Sequence, residues 1–192
     1  MVDRGLHVYV GAPGSGKTFL ADIHGRTLAG ARGVGGLCID STGSSGLEHW
    51  KRAESVSDAV DAVWDRNELV RYTPGDVDEL QQLLGAARNP GRCVFLLDEV
   101  ALWPARLKEL DHLCRTWRHT DTDVLVTAQH LSGDIAQGLR ACSPRLYAFR
   151  QAPSTTLDLL SKEWKLPEDQ LQTLGQGDFL MAGPIDWHAL KT

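Results

Sequence analysis

The chain has 192 residues, of which 42% are hydrophobic and 23% are charged, and its formal net charge is -5. This length suits one compact domain over residues 1–192, and the composition excludes a disordered, collagen-like or coiled-coil protein. The apolar runs are far shorter than the ~20 residues of a membrane span, and no charged-then-apolar leader begins the chain. We therefore expect a soluble protein of the cytoplasm.

Strand-like and helix-like segments alternate along the chain. The first strand is indicated by alternating β-branched and aromatic residues, and a later continuous apolar run is typical of a strand buried on both faces of a parallel sheet. The alternation predicts an α/β fold with a mainly parallel central sheet flanked by helices. The predicted strands are Leu6–Val10, Leu37–Ile39, Leu69–Tyr72, Cys93–Leu97, Val124–Thr127, Arg145–Phe149 and Asp178–Met181. The predicted helices are Lys17–Leu28, Ala53–Trp64, Val77–Arg88, Leu107–Trp117, Ile135–Leu139 and Leu157–Trp164.

A glycine-rich loop between the first strand and the first helix carries a complete phosphate-binding pattern, G-x-x-x-x-G-K-[ST]. Its glycines let backbone N–H groups approach phosphates, and the N-terminus of the following helix favours the same anion. We expect Lys17 to bind the β- and γ-phosphates of ATP and the Thr18 hydroxyl to ligate Mg²⁺. The predicted nucleotide-binding residues are Gly11, Ala12, Pro13, Gly14, Ser15, Gly16, Lys17 and Thr18.

Two adjacent carboxylates, Asp98 and Glu99, end the apolar run that begins at Cys93. A buried parallel strand would deliver them to the carboxyl edge of the sheet, where open α/β sheets bind ligands. Asp98 is then placed to hold Mg²⁺, directly or through water, and Glu99 to orient and deprotonate the attacking water. A base for water favours an ATPase over a kinase.

Several segments resemble the FtsK/HerA-type DNA-pumping ATPases in order and spacing. The resemblance covers roughly residues 6–20 and 93–182 and is poor between them; viral genome-packaging ATPases and Zot-type phage assembly ATPases share much of the pattern. His130 is a departure, because an arginine is common there in the family. The matching segments are Asp98–Trp103, Arg118–Gln129, Asp134–Arg140, Pro144–Phe149, Ser154–Leu159 and Leu174–Met181.

The resemblance implies a P-loop NTPase of the RecA/ASCE type and two further catalytic residues. Gln129, at the end of a strand parallel to the Asp98 strand, would place its amide between the γ-phosphate and the lytic water. Arg118 lies eleven residues earlier, where the resemblance puts the arginine that reaches the ATP of a neighbouring subunit. A planar guanidinium suits this role because it stabilises charge on the γ-phosphate oxygens. Arg115 and Arg140 are the alternatives for this arginine.

A translocase of this kind implies a homo-oligomeric ring, hexamer or pentamer, around sequence-independent double-stranded DNA. Residues 101–192 carry ten Lys/Arg and eleven Asp/Glu, so any DNA contact depends on a few placed cations. The small size resembles viral packaging motors and implies capsid or portal proteins as docking partners. The cations in this half that could line a pore are Arg106, Lys108, Arg115, Arg118, Arg140, Arg145 and Arg150.

Three other functions fit parts of the pattern. A Zot-type ATPase for phage extrusion shares the motifs but usually carries a membrane segment. A P-loop kinase for small molecules would show an arginine-rich lid and no glutamate beside Asp98. A nucleotide-dependent switch would hydrolyse ATP slowly and without response to DNA.

The four cysteines, Cys38, Cys93, Cys114 and Cys142, lie far apart in the sequence. A structural zinc site needs clustered ligands, and a disulfide framework is typical of small secreted chains. The pattern therefore predicts reduced, buried thiols.

Overall fold

An eight-stranded sheet organises the computed structural model of the chain. The structure describes residues 5–43, 46–86, 92–102, 108–131, 142, 145–152 and 154–183. The strands are β1 (Leu6–Val10), β2 (Gly35–Asp40), β3 (Lys51–Arg52), β4 (Leu69–Tyr72), β5 (Cys93–Asp98), β6 (Thr122–Ala128), β7 (Arg145–Phe149) and β8 (Phe179–Ala182). The helices are α1 (Lys17–Arg32), α2 (Val56–Trp64), α3 (Val77–Ala86), α4 (Lys108–Thr120), α5 (Thr155–Trp164) and α6 (Glu168–Thr173), with a 3₁₀ turn at Val100–Leu102.

The strand order is β3-β4-β2-β5-β6-β1-β7-β8. All neighbouring pairs are parallel except β7 and β8, so the predicted mainly parallel sheet is confirmed. Strand β6 lies between β1, which leads into the glycine loop, and β5, which ends in the carboxylates. The carboxyl ends of these three strands therefore meet at one edge of the sheet.

The two faces of the sheet bury different helices. On one face the strands pack against α2, α3, α4 and α5 in a large aliphatic core. On the other face α1 covers Tyr9, Cys38, Val94 and Leu125. Because successive strand residues alternate between faces, β1 sends Val8 and Val10 to the first core and Tyr9 to the second.

The sequence-based elements agree with most of these bounds and differ at some ends. Helix α1 continues past Leu28 to Arg32 and ends where Gly33 adopts φ 62, a left-handed C-terminal cap. Helix α2 begins at Val56 rather than Ala53, because the Ser55 hydroxyl accepts the Asp58 N–H as an N-cap. The predicted helix Ile135–Leu139 and the ends of two others, Ala87–Arg88 and Leu107, lie outside the described residues.

Two short elements escaped prediction. Strand β3 consists of two exposed residues, and α6 has six residues of which Leu171 is buried. Neither is long enough to show an apolar period, so their sequences carry no pattern that distinguishes them from loop.

Charged residues join the end of α1 to the start of β6, at the sheet edge opposite the glycine loop. The Arg32 guanidinium pairs with the fully buried Asp123 carboxylate and donates to the Asp121 carbonyl oxygen at 2.7 Å. The other Asp123 oxygen accepts the Gly5 N–H at 2.8 Å. A buried pair with several hydrogen bonds is strongly destabilised when one partner is removed, so this junction fixes the end of α1.

The described cysteines are reduced: Cys38 and Cys93 are buried and Cys142 is half-buried. Burial raises the pKa of the Cys93 thiol to about 12, so it stays protonated at neutral pH. The prediction of reduced, buried thiols is therefore confirmed for Cys38 and Cys93, whereas Cys142 is reduced but only half-buried. The side chain of Cys114 lies outside the described part of the chain. No described helix is both long enough and apolar enough to cross a lipid bilayer.

Candidate nucleotide-binding site

The glycine loop joins β1 to α1 at the carboxyl edge of the sheet. Gly14 has φ 72 and Gly16 has φ 100, in the left-handed region that favours glycine. A Cβ at Gly11 would lie 2.6 Å from Cβ of Phe149, so a side chain there would displace β7. The loop conformation therefore requires the glycines that the motif supplies.

Backbone hydrogen bonds attach the loop to the two strands that flank β1. The Gly11 N–H donates to the Ala128 carbonyl oxygen of β6 at 3.2 Å, and the Ala12 N–H donates to the Arg150 carbonyl oxygen beyond β7 at 3.0 Å. The loop is thereby held at both sides before any ligand binds. A loop that is already fixed suits a bound anion, because little order is lost on binding.

Lys17 and Glu99 face each other across the edge of the sheet. Lys17 Nζ lies 3.5 Å from Glu99 Oε2, and their side chains are only 7% and 6% exposed. The other carboxylate oxygen of Glu99 accepts the Gln129 backbone N–H at 2.7 Å. The structure thus brings together three of the predicted catalytic residues, Lys17, Glu99 and Gln129.

Glu99 occupies a strained backbone position at the end of β5. Its φ of 55 lies in the left-handed region, which is uncommon for a residue other than glycine and costs of order 1 kcal/mol or more. Its own N–H donates to the Thr127 hydroxyl oxygen at 2.9 Å, which holds this turn against β6. This bend directs the Glu99 side chain back towards Lys17.

Asp98 is buried beside the first turn of α1. Its Oδ1 accepts the Thr18 hydroxyl at 3.1 Å and the Thr127 hydroxyl at 2.7 Å. Burial raises the pKa of Asp98, the two hydroxyl hydrogen bonds oppose this change, and the nearby Asp40 and Glu99 add to it. A positive charge bound at this point would favour the ionised carboxylate.

Thr18 and Asp98 have the chemistry of a Mg²⁺ site. Both offer hard oxygen ligands, and their oxygens lie 3.1 Å apart. Mg²⁺ bound with nucleotides takes one or two protein oxygens and completes its shell with phosphates and water. The described residues contain no group of three His, Cys, Asp or Glu side chains arranged for a metal.

Arg118 does not lie with the other predicted catalytic residues. It is near the end of α4, two residues before Thr120. Strand β6 starts two residues further on and runs about 20 Å to the nucleotide edge, at roughly 3.3 Å per residue. Arg118 is therefore at the opposite edge of its own subunit and does not join the site formed by Lys17 and Glu99. Its side chain, like all of Arg140, lies outside the described residues, and Arg115 is exposed one turn earlier on the same helix.

Two residues of the site escaped sequence analysis. Thr127 ties Asp98 to Glu99, and no residue pattern within β6 marks it. Asp40 ends β2 in register with Asp98 and is 1% exposed; its Oδ1 accepts the Thr42 N–H at 3.1 Å. Here a usable pattern existed, because Leu37–Asp40 is an apolar run ending in a carboxylate, as Cys93–Asp98 is.

The segment before β8 also reaches the glycine loop. The Gly177 N–H donates to the Ser15 carbonyl oxygen at 3.0 Å, and a Cβ at Gly16 would lie 3.4 Å from Gly177 Cα. The family resemblance placed Leu174–Met181 at the end of the fold without assigning it a contact. The structure puts its turn directly beside the phosphate-binding loop.

Solved structures of packaging NTPases share this fold. The genome-packaging NTPase B204 of Sulfolobus turreted icosahedral virus 2, in complex with AMP, gives a TM-score of 0.74 at 20% identity over 95% of this chain and 94% of that chain. The DNA-packaging ATPase B204 of Sulfolobus turreted icosahedral virus gives 0.69 at 16% identity over 97% and 100%. No protein-family model and no curated protein matches the chain.

A bacterial ATPase has the same core. EssC (ATPases 2 and 3) from Geobacillus thermodenitrificans gives a TM-score of 0.60 at 12% identity over 94% of this chain and 38% of that chain. At these identities the likeness establishes the fold. The chain has the P-loop NTPase fold predicted from its sequence, and its resemblance to the FtsK/HerA-type and viral packaging ATPases is confirmed at that level.

Proposed function

We propose that the chain is an ATPase that translocates double-stranded DNA and packages a viral genome. The observation that carries the proposal is the placement of Lys17, Asp98 and Glu99 at one edge of the sheet, around a preformed phosphate-binding loop. Related support comes from B204, whose structures hold AMP, ATP-γS and AMPPCP.

The proposal gives each group a part in hydrolysis. The Lys17 ammonium and backbone N–H groups of the loop Gly11–Thr18 bind the phosphates, apart from the N–H groups of Gly11, Ala12 and Ser15, which donate within the fold. Bound phosphate competes with Glu99 for Lys17, so nucleotide binding would release the carboxylate to accept a proton from water. Mg²⁺, held by Thr18 and Asp98, would neutralise phosphate charge. The Gln129 backbone keeps Glu99 at the end of β6, and its amide is assigned to the γ-phosphate and water.

Assembly into a hexameric or pentameric ring would complete the site. Because Arg118 lies at the edge opposite its own nucleotide, it is suited to act on the ATP of a neighbouring subunit. The ring would surround DNA without regard to sequence and dock on capsid or portal proteins. In this proposal residues 1–192 form a single motor domain that works in the host cytoplasm or on the virion.

The decisive experiment measures ATP hydrolysis with and without linear double-stranded DNA, together with the mass of the assembly in solution. We expect a ring whose hydrolysis rate rises with DNA and falls when salt is added, because phosphate contacts release counterions. Lys17→Ala is the control for contaminating ATPases. A monomer that hydrolyses ATP without response to DNA would contradict the motor and favour a nucleotide-dependent switch, whereas phosphoryl transfer to a small molecule would favour the kinase.

A further inference from the structure

The residues assigned to catalysis all lie on one side of the phosphate-binding loop, which is called the catalytic side here. Asp98 ends β5, Glu99 follows it and Gln129 follows β6, so all three lie on one side of β1. Strands β7 and β8 lie on the other side. If the proposed ATPase function holds, the γ-phosphate faces the catalytic side. The α-phosphate and the nucleoside then extend over the loop towards β7 and β8.

The protein surface met on that side is the turn Gly175–Asp178. It is the segment whose Gly177 N–H donates to Ser15 of the loop, and its four residues are exposed. A Cβ at Gly16 would lie 3.4 Å from Gly177 Cα, so the turn and the loop are in van der Waals contact. A nucleoside that leaves the loop in this direction therefore comes to rest on the turn.

The turn is internally fixed. The Asp178 carboxylate accepts the Gly175 N–H at 3.2 Å, and the Asp178 N–H donates to the Gly175 carbonyl oxygen at 3.3 Å. Next in the chain, the Phe179 ring packs 5.4 Å from that of Phe149 and anchors the turn to β7. Since Asp178 is used within the turn, Gln176 is the polar side chain that the turn presents outward.

Phe19 is the alternative residue on which the purine base could stack, because it follows Thr18 and its side chain is 67% exposed. Helix geometry places it elsewhere. Successive residues turn by about 100°, and Thr18 already points towards Asp98, so Phe19 points further round, away from the sheet. The residue of α1 that faces β7 is instead His24, which hydrogen-bonds Tyr9 and contacts Tyr147.

We propose that the turn Gly175–Asp178 forms the nucleoside subsite and that Gln176 contacts the purine base. A glutamine amide carries a donor and an acceptor side by side, which matches the amino group and ring nitrogen of adenine. The subsite would distinguish a nucleotide from its bare polyphosphate, while the phosphate-binding loop would bind both.

The test compares the affinities of AMPPCP and inorganic tripolyphosphate by calorimetry in the presence of Mg²⁺. Gln176→Ala is expected to weaken AMPPCP binding about fivefold, the effect of one hydrogen bond, and to leave tripolyphosphate binding unchanged. Gln172→Ala, an exposed glutamine on α6, is the matched control. Equal loss of both ligands, or no loss of AMPPCP, would overturn the subsite. Binding of neither ligand by the wild type would instead refute the nucleotide site itself.

Photolabelling with 2-azido-ATP locates the base directly. Trypsin releases the turn in the peptide 166–191 and Phe19 in the peptide 18–26. The label is expected within residues 175–178, and excess ATP should prevent it. A label on Phe19, or one elsewhere that ATP competes away, would overturn the proposal.

Discussion

The ammonium of Lys17 and the carboxylate of Glu99 form a buried ion pair, with 3.5 Å between Nζ and Oε2. Both residues are assigned to the phosphates and the water of ATP hydrolysis, yet here each neutralises the other. A buried charge that loses its partner is strongly destabilising, so neither side chain is released until another charge replaces it. In the proposed ATPase the pair therefore links the availability of the base to the arrival of phosphate.

Replacement of the base should separate binding from hydrolysis. Glu99→Gln keeps an acceptor for the Gln129 N–H but cannot take a proton from water. We expect ATP affinity to be retained and hydrolysis to fall at least about 100-fold. Calorimetry and phosphate release measure the two effects, with Lys17→Ala as the control that loses ATP binding. Hydrolysis by Glu99→Gln at the wild-type rate would refute the assignment of the base.

The arginine assigned to the neighbouring site can be tested by mixing subunits. Arg118→Ala alone should lose turnover and keep ATP affinity. Lys17→Ala subunits bind no ATP but still carry Arg118, so mixed rings should regain part of the activity that each variant lacks. Recovery is measured as phosphate release after the two proteins are combined.

Arg115→Ala provides the comparison, since Arg115 is exposed on the same helix one turn earlier. If Arg118→Ala keeps its turnover and Arg115→Ala loses it, the role moves to Arg115. If neither variant is impaired, Arg140 is the remaining candidate. If Arg118→Ala is inactive but mixing restores nothing, Arg118 does not act between subunits.

Thr127 is not a predicted Mg²⁺ ligand, but its hydroxyl bonds to the predicted ligand Asp98, so its replacement should weaken Mg²⁺ binding. Thr127→Val removes the 2.7 Å hydrogen bond to Asp98 and leaves the Glu99 N–H without its acceptor. We expect a loss of about 1–3 kcal/mol in unfolding free energy and weaker binding of Mg²⁺–ATP. Urea unfolding and calorimetry measure these effects.

Thr122→Val is the control at the other end of β6. Its hydroxyl donates to the Thr120 carbonyl oxygen at 3.3 Å, far from the nucleotide edge. This variant should lose stability but not affinity for Mg²⁺–ATP. An equal effect of both variants on affinity would show that Thr127 acts only through folding.

His24 should make the protein less stable in acid. Burial lowers the pKa of His24 below its ordinary 6.5, so the unfolded chain binds this proton at higher pH than the folded chain does. The unfolding free energy is therefore maintained above pH 6.5 and falls as the pH drops through 6.5 towards the lower folded-state pKa. His24 Nδ1 also forms a hydrogen bond with the Tyr9 hydroxyl, at 2.7 Å.

His24→Gln keeps a hydrogen-bonding group near Tyr9 and cannot titrate, so its stability should depend less on pH below 6.5. His49→Gln, an exposed histidine on another segment, is the control and should follow the wild type. Urea unfolding across this pH range provides the measurement. An unchanged slope in His24→Gln would show that other groups cause the acid effect.

The sequence predicted the strands and the glycine loop because their patterns are local. Leu6–Val10 and Arg145–Phe149 match the structure at both ends. The first is bordered by Gly5 and Gly11, and the second follows Pro144, so the sequence marks their limits. The contact of Gly177 with Ser15 joins segments that lie far apart in the chain, and only the strand order brings them together. The same holds for Thr127, whose hydroxyl becomes important only because β6 lies beside β5.

The arginine prediction shows a different limit. A single chain cannot reveal whether Arg118 approaches a nucleotide, because its own site is at the other edge of the sheet. The sequence pattern and the fold together give the position of Arg118 in its own subunit. Which nucleotide it contacts depends on a second subunit.

The Arg32–Asp123 junction has a mechanical consequence for the site. Helix α1 is held at its first turn by Thr18 on Asp98 and at its last turn by Arg32 on the fixed start of β6. Because α1 is held at both ends, it cannot slide or rotate without breaking the buried Arg32–Asp123 ion pair. The helix and its loop are thus held fixed against the sheet, and in the proposed motor a stroke driven by ATP would begin at the strained turn of Glu99.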